Sequence, residues 1–238
     1  GDNWPLGLPG LTLLVAGLLW WAYGRDPVAN RSIAVEYEPP PGLRPAQAGA
    51  LVDERAEPRD VIATLIDLAV RGYVRIERIT TAFDEPDFMF RRLKPVLGDP
   101  DLAPLELFIL AKLFGDDWGL NLRLLSEVRR DYDNVFPPVR DQIYRSMIDA
   151  GLMPRSPYHV RLGWAVVAGL FVAAGVALAV FGPGWIEGYG WALPIGLAAS
   201  GFVVLAFAPI MPRKTWRGVR TALRVRGFRG VLERAEQD

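Results

Sequence analysis

The stretch Leu162–Gly182, LGWAVVAGLFVAAGVALAVFG, runs for 21 residues without a charged side chain. A helix needs about 20 such residues to cross the ~30 Å hydrocarbon core of a bilayer. A buried helix of a globular protein is the competing reading, but such helices rarely extend this far without a charge. Working outward, Gly188–Pro212 is uncharged for 25 residues and Asn3–Gly24 for 22. In the latter, Pro5 and Pro9 trim the regular helix to about residues 9–23. The chain therefore reads as having membrane helices at residues 3–24, 162–182 and 191–212, with a short loop at 183–190.

Composition agrees. Half of the 238 residues (51%) are hydrophobic, yet 23% are charged, and the two kinds are segregated into blocks. The chain has no cysteine and one histidine, His159. This removes disulfides, thiolate metal sites and a Cys nucleophile, and leaves no His-rich metal cluster. Seven of the eight tryptophans stand at or near span ends: Trp4, Trp20, Trp21, Trp164, Trp185, Trp191 and Trp216. An indole has an apolar body and one polar N–H, which suits the headgroup zone. Trp118 alone lies far from any span.

Orientation follows from Lys and Arg beside the spans. Arg25, Arg31, Arg155, Arg161, Arg213, Lys214, Arg217 and Arg220 flank residues 25–161 and 213–238, whereas the 183–190 loop carries only Glu187. Both basic-flanked segments are expected in the cytoplasm, with the protein in the plasma membrane. Within the second and third spans, small residues recur every four positions: Ala165, Gly169, Ala173 and Ala177, then Ala192, Gly196 and Ser200. Such stripes allow close helix packing or self-association. The spans contain no Asp, Glu, Lys or Arg, the usual marks of an ion path.

Residues 25–161 hold 19 basic and 22 acidic residues, net −3. Ser32–Glu38 alternates like a strand, and Pro39-Pro40-Pro41-Gly42 stops it. Pro45–Leu51 reads as a short helix. From Pro58 the spacing of Val61, Ile62, Leu65, Leu68 and Ala69 predicts a helix that stops at Gly72. Tyr73–Ile79 and Phe88–Leu93 then pair across the acidic turn Asp84-Glu85-Pro86-Asp87. Helix, Gly-Tyr, strand, turn, strand has the form of a winged helix. A second copy, with only a vestigial wing, is read in a helix at Leu105–Phe114, a short extended piece at Leu120–Leu124 and a helix at Val139–Ala150 ending at Gly151. The expected fold class is thus a mainly α membrane protein: three transmembrane helices plus a cytoplasmic α+β domain of two tandem winged-helix-like units. Its expected core is Val61, Ile62, Leu65, Leu68, Phe108, Leu110, Ile143 and Met147.

The blocks YGRDP, EYEPPPGLRPAQAGALVDERAEPRDVIATLIDLAVRGYVRIER, LFILAKLF and MPRKTWRGVRTALRVRGFRGVLERAE resemble the YciQ-like predicted membrane proteins of bacteria, a domain-of-unknown-function family. The resemblance covers nearly the whole chain in order. It implies a signal peptide and a secreted β-sandwich-like domain ahead of the first span, and a further cytoplasmic segment after the last helix. A chain that opens on Gly1 rather than Met accordingly reads as a fragment. The resemblance brings no activity and no catalytic residue.

Winged helices often bind DNA. Here the candidate helix carries a balanced Arg59, Asp60, Asp67 and Arg71, and a domain of net −3 lacks the excess positive charge that phosphate requires. A tether from Arg25 to Arg31 also reaches only about 25 Å. The Asp99/Asp101 and Asp116/Asp117 pairs read as solvated turn acids, and no phosphate-binding glycine loop is present. His159, beside Tyr158 and Arg161, reads as interfacial. Residues 213–238 carry eight basic against three acidic residues. On a helix, Trp216, Val219 and Leu223 share a face flanked by Arg217, Arg220 and Arg224, so these residues with Arg213 and Lys214 are expected to meet anionic lipid headgroups. Docking of the same face onto the domain is the alternative. The expected function is a membrane-anchored interaction or scaffold module that links an exterior domain to cytoplasmic protein partners. No cofactor or enzyme activity is expected in this fragment. The alternative is a membrane-tethered nucleic-acid-binding regulator.

Overall fold

The computed structural model describes residues 4–28, 36–80, 86–116, 118–182 and 191–235. In chain order these residues form α1 (Leu8–Leu19), α2 (Pro45–Asp53), α3 (Pro58–Val70), β1 (Val74–Thr80), β2 (Pro86–Arg92) and α4 (Pro104–Phe114). There follow β3 (Leu122–Leu124), α5 (Leu125–Arg130), α6 (Tyr132–Asp149), α7 (Pro157–Phe181), α8 (Ala192–Phe207) and α9 (Trp216–Ala235). The chain separates into two compact units, residues 1–29 with 153–216, and residues 30–152 with 217–238.

The first unit contains three helices long and apolar enough to cross a membrane, Trp4–Gly24, Pro157–Phe181 and Ala192–Ile210. The first is entered through a 3-10 turn at Trp4–Gly7 and left through a π-helical turn at Trp20–Gly24. α7 starts at Pro157, ahead of the uncharged stretch, because Pro157 occupies the first turn where a missing N–H costs nothing. α8 packs on both α7 and α1.

Glycines set how closely these helices approach. A Cβ on Gly175 of α7 would lie 2.7 Å from the Pro194 carbonyl oxygen and 3.0 Å from the Ala198 nitrogen of α8. One on Gly201 of α8 would lie 2.8 Å from the Ala168 oxygen, and one on Gly196 would run into the Pro5 oxygen. Backbone thus touches backbone at three crossings, as expected where lipid supplies no hydrophobic drive between helices.

The second unit is built around α6. Helices α2 and α4 both pack on it, and Leu51, Leu68, Leu110, Phe114, Ile143 and Met147 are fully buried between them. Each such side chain contributes about 1.5–3 kcal/mol by leaving water. β1 and β2 form an antiparallel hairpin with Ile76 opposite Phe90. β3 joins the other edge of β2, with Met89 opposite Leu124, to give one sheet in the order β1-β2-β3.

Several expectations change here. The extended piece of the supposed second copy has no hairpin of its own among the described residues; it completes the first sheet. What recurs is a helix stop. Gly72 and Gly151 both adopt positive φ, +76° and +67°. In each case the glycine N–H bonds three residues back and the next N–H five residues back: Gly72 to Ala69 and Tyr73 to Leu68, Gly151 to Ile148 and Leu152 to Met147. Tyr73 and Leu152, the residues after each glycine, are both buried. This is one Schellman motif used twice, and it accounts for the echo in the sequence.

α3 is also turned relative to expectation. Asp60 and Thr64 face inward with Leu65 and Leu68, while Ile62 is half exposed. Two polar contacts set the rotation. Asp60 Oδ2 accepts the Glu57 N–H at 2.8 Å, capping its own helix. Thr64 Oγ1 accepts the Ala46 N–H at 3.0 Å and donates to the Asp60 carbonyl. Residues 32–35 of the expected first strand, and Asp84 and Glu85 of the turn, lie outside the described residues. Glu36–Glu38 are irregular.

Candidate membrane interface and partner surface

Where span 1 ends, the Trp20–Gly24 turn is tight. A Cβ on Gly24 would lie 2.7 Å from Trp20 Cδ1 and 3.2 Å from Met211 Sδ. The Arg25 guanidinium lies 5.9 Å from the centre of the Trp20 ring, an arrangement that keeps a cation beside an interfacial indole. The next residue, Asp26, reaches across to the end of span 3. Its Oδ1 accepts the Lys214 backbone N–H at 2.6 Å, and its Oδ2 lies 3.6 Å from Lys214 Nζ. This clasp fastens the ends of spans 1 and 3 on the same side of the unit.

The clasp revises one expected surface residue. Lys214 is 5% exposed and faces Asp26 rather than open surroundings. The other five, Arg213, Trp216, Arg217, Arg220 and Arg224, are exposed. α9 buries Gly218 and Ala222 instead of a large apolar face, while Val219 and Leu223 are half-buried. Arg224 Nε lies 3.6 Å from Glu36. Trp4, Trp21 and Trp191 are exposed, and Trp185 lies outside the described residues.

The small-residue stripes are divided. On α8, Gly196 and Ser200 are buried and Ala192 is half-buried. On α7, Ala165 is half-buried, whereas Gly169, Ala173 and Ala177 are exposed. A Cβ on Gly169 would meet nothing within 4 Å. The α7 surface that meets α8 is Ala168 and Gly175, both buried. The exposed stripe instead floors an open apolar groove with Gly201, Phe202 and Leu205.

In the second unit, three helix ends meet at Glu106, whose side chain is fully buried. Its Oε2 accepts the Ala103 N–H at 2.8 Å. Its Oε1 is paired with Arg71 Nη2 and lies 3.5 Å from Arg44 Nε. Arg71 and Arg44 each also donate to the Asp101 carbonyl, at 3.2 and 3.1 Å. Arg44 caps the start of α2, Arg71 the end of α3, and Glu106 stands in the first turn of α4. A buried charge needs this degree of pairing.

With Asp60 and Thr64 turned inward, the opposite side of α3 presents Ile62, Ile66 and Val70, exposed at 50%, 51% and 82%. Four-residue spacing places them in one stripe. The sequence does contain this signal, because all three residues are apolar at i, i+4 and i+8. Ile62 also falls beside the row of Val61, Leu65 and Leu68, and this overlap masks the stripe. The arginines of the neighbouring surface are largely engaged: Arg59 lies 3.1 Å from Glu57, and Arg71 lies 3.0 Å from Asp67.

The acidic candidates behave as turn residues. Asp99 accepts the Tyr73 hydroxyl at 2.8 Å and the Asp101 N–H at 2.9 Å. These two contacts hold its carboxyl below the usual aspartate range. Asp116 is paired with Lys112 at 2.7 Å, and Asp117 lies outside the described residues. Asp87, nearly buried, accepts the Ser126 hydroxyl at 2.6 Å and the Phe88 N–H at 2.8 Å, and its carboxyl is held low. His159 is exposed and sits edge-on to Tyr158 at 5.5 Å. Among the described residues, no three His, Cys, Asp or Glu side chains are placed to share a metal ion.

A family model described as "Predicted membrane protein (DUF2207) C-terminal domain" matches residues 34–238. No curated protein and no solved structure matches the chain.

Proposed function

Because the chain belongs to the family of predicted membrane proteins with the DUF2207 C-terminal domain, we propose that it is a membrane-anchored protein-interaction module. In this reading it sits in the plasma membrane, with residues 25–161 and 213–238 in the cytoplasm, and has no catalytic role. The observation that carries it is the exposed Ile62, Ile66 and Val70 stripe on α3. We read the α3–β1–β2 succession as a winged-helix-like unit, a reading in which this helix takes the position that usually meets a partner. An apolar stripe beside paired charges suits a protein surface better than a phosphate backbone.

A photo-crosslinker at Ile66, used in cells, tests this. A discrete protein adduct that Ile62→Asp abolishes is the expected result. If no adduct forms and the purified chain binds duplex DNA with affinity that falls steeply as salt rises, the regulator reading replaces it.

The tail is assigned to the membrane surface. Its arginines point outward while Gly218 and Ala222 are buried, so the helix can pack by its small residues and still offer positive charge to lipid. Each basic residue near an anionic surface contributes about 1 kcal/mol. A peptide of residues 213–235 should bind anionic vesicles, become helical there and release as salt rises. A peptide that stays free at low salt would favour docking on the rest of the second unit.

A further inference from the structure

Trp118, the tryptophan that no span explains, lies at the edge of a cavity of about 370 Å³ in the second unit. That volume is within the range of small-molecule sites, about 300–1,000 Å³. Its walls are Arg92, Leu93, Lys94, Pro95, Val96 and Leu97 after β2, together with Trp118 and Asn121. Three features show that this cavity is built rather than left over.

The first is backbone conformation. Trp118 has φ +57°, a region that bulky L residues rarely adopt. A glycine or asparagine would occupy it more easily, so something keeps an indole there. The second is the brace beneath it. The Arg92 guanidinium lies near two rings, 6.0 Å from the centre of Phe114 and 5.6 Å from that of Trp118. Its Nη2 donates to the Trp118 carbonyl at 3.2 Å and to Asn121 Oδ1 at 2.6 Å. The turn and the indole are thereby held at one place. The third is the charge and polarity of the rim. Lys94 is exposed, its ammonium 5.0 Å from the centre of the Tyr73 ring and 3.4 Å from the Arg71 carbonyl. It forms no salt bridge among the described residues. Asp99, whose charge Lys94 feels, is engaged with Tyr73 and Asp101. Leu93 and Leu97 stand 44% and 68% exposed on the same rim.

We propose that this cavity binds a small organic anion, with its phosphate or carboxylate at Lys94 and its apolar body against Trp118, Leu93 and Leu97. Inorganic phosphate alone would leave the leucines and the indole facing water, and an apolar molecule without charge would bring no counter-charge to the Lys94 ammonium, Arg92 being already engaged by Trp118 and Asn121. The anion can be a free metabolite or the headgroup of a neighbouring lipid, since both present the same chemistry. The site does not depend on the α3 stripe.

The test uses the full chain in nanodiscs of zwitterionic lipid, with equilibrium dialysis against 1-naphthyl phosphate and against inorganic phosphate. Saturable binding of one naphthyl phosphate per chain is expected, at least about tenfold tighter than inorganic phosphate. Lys94→Gln and Trp118→Gly should each weaken it by about tenfold or more. Trp118→Gly is suited to the positive φ, so its thermal melt should not fall, which separates lost binding from lost folding. Discs doped with anionic lipid identify the source: competition with naphthyl phosphate assigns a lipid headgroup, and its absence a free metabolite. Absence of saturable binding, or binding unchanged in both variants, overturns the proposal.

Discussion

Glu106 is held between Arg71 and Arg44 with no exposed side-chain surface, so its removal leaves two guanidinium groups facing a void. Glu106→Ala should destabilise the second unit by about 3–5 kcal/mol, the cost of breaking a buried ion pair from one side. Hydrogen exchange of the α4 amides in the full chain would measure it. Asp60 makes a subtler prediction. Burial raises its carboxyl above the ordinary aspartate value, outweighing the Glu57 N–H bond and the charge of Arg59. A raised acid binds its proton more tightly in the folded state. Its contribution is therefore greatest below the unfolded value of about 3.9 and is lost as pH rises through the folded value. Asp60→Asn should thus gain relative stability as pH rises from acid towards neutral, read from urea melts at several pH values. A gap that stays constant with pH would mean that Asp60 is ionised at no cost. Neither residue was legible in the sequence. A Glu or Asp in a helical pattern reads as solvent-facing, and only tertiary contacts, Arg71 and Arg44 at Glu106 and the Thr64–Ala46 bond beside Asp60, reveal otherwise. Gly72 and Gly151 were legible, because a helix stop is written in local letters.

Between elements, the closest approaches are fixed by glycine rather than by the count of small residues. Gly175 meets the α8 backbone, while Gly169, two turns earlier, meets nothing. Gly175→Val should therefore loosen the α7–α8 pair and lower the melting temperature of the solubilised chain by several degrees, while Gly169→Val should change it little. Equal effects would mean that the exposed stripe is itself packed, against lipid-embedded partners. Sequence alone could not choose between the stripes. α7 contains Ala165, Ala168, Gly169, Ala173, Ala174, Gly175 and Ala177, so several overlapping period-four rows exist, and the rotation of the helix decides which is used. α3 teaches the same point. Its existence and end were readable from Pro58 and Gly72, but its rotation rests on the Asp60 cap and the Thr64–Ala46 bond. That rotation turns Ile66 and Val70 outward.

For the whole molecule, the clasp at Asp26 and Lys214 requires the segments after spans 1 and 3 to share a side, which the two crossings between them, spans 2 and 3, also give. The absence of native cysteine makes the side itself measurable. A single cysteine at position 188 should react with an impermeant thiol reagent on intact cells, and one at position 32 should be protected; the reverse pattern would invert the topology. The spans were legible because lipid imposes one requirement, about 20 uncharged residues. The second unit was legible only in part, since nothing in the local letters of Leu120–Leu124 says which strand that extended piece will pair with. The position of α1 has a consequence in time. Its chief packing partner is α8, which begins at Ala192. When span 1 has just been made, the ribosome must still add 168 residues, from 24 to 192, before that partner starts to appear. At about 5–20 residues per second this is roughly 8–34 s. The least apolar of the three spans must hold its place in the bilayer without α8 for that whole interval.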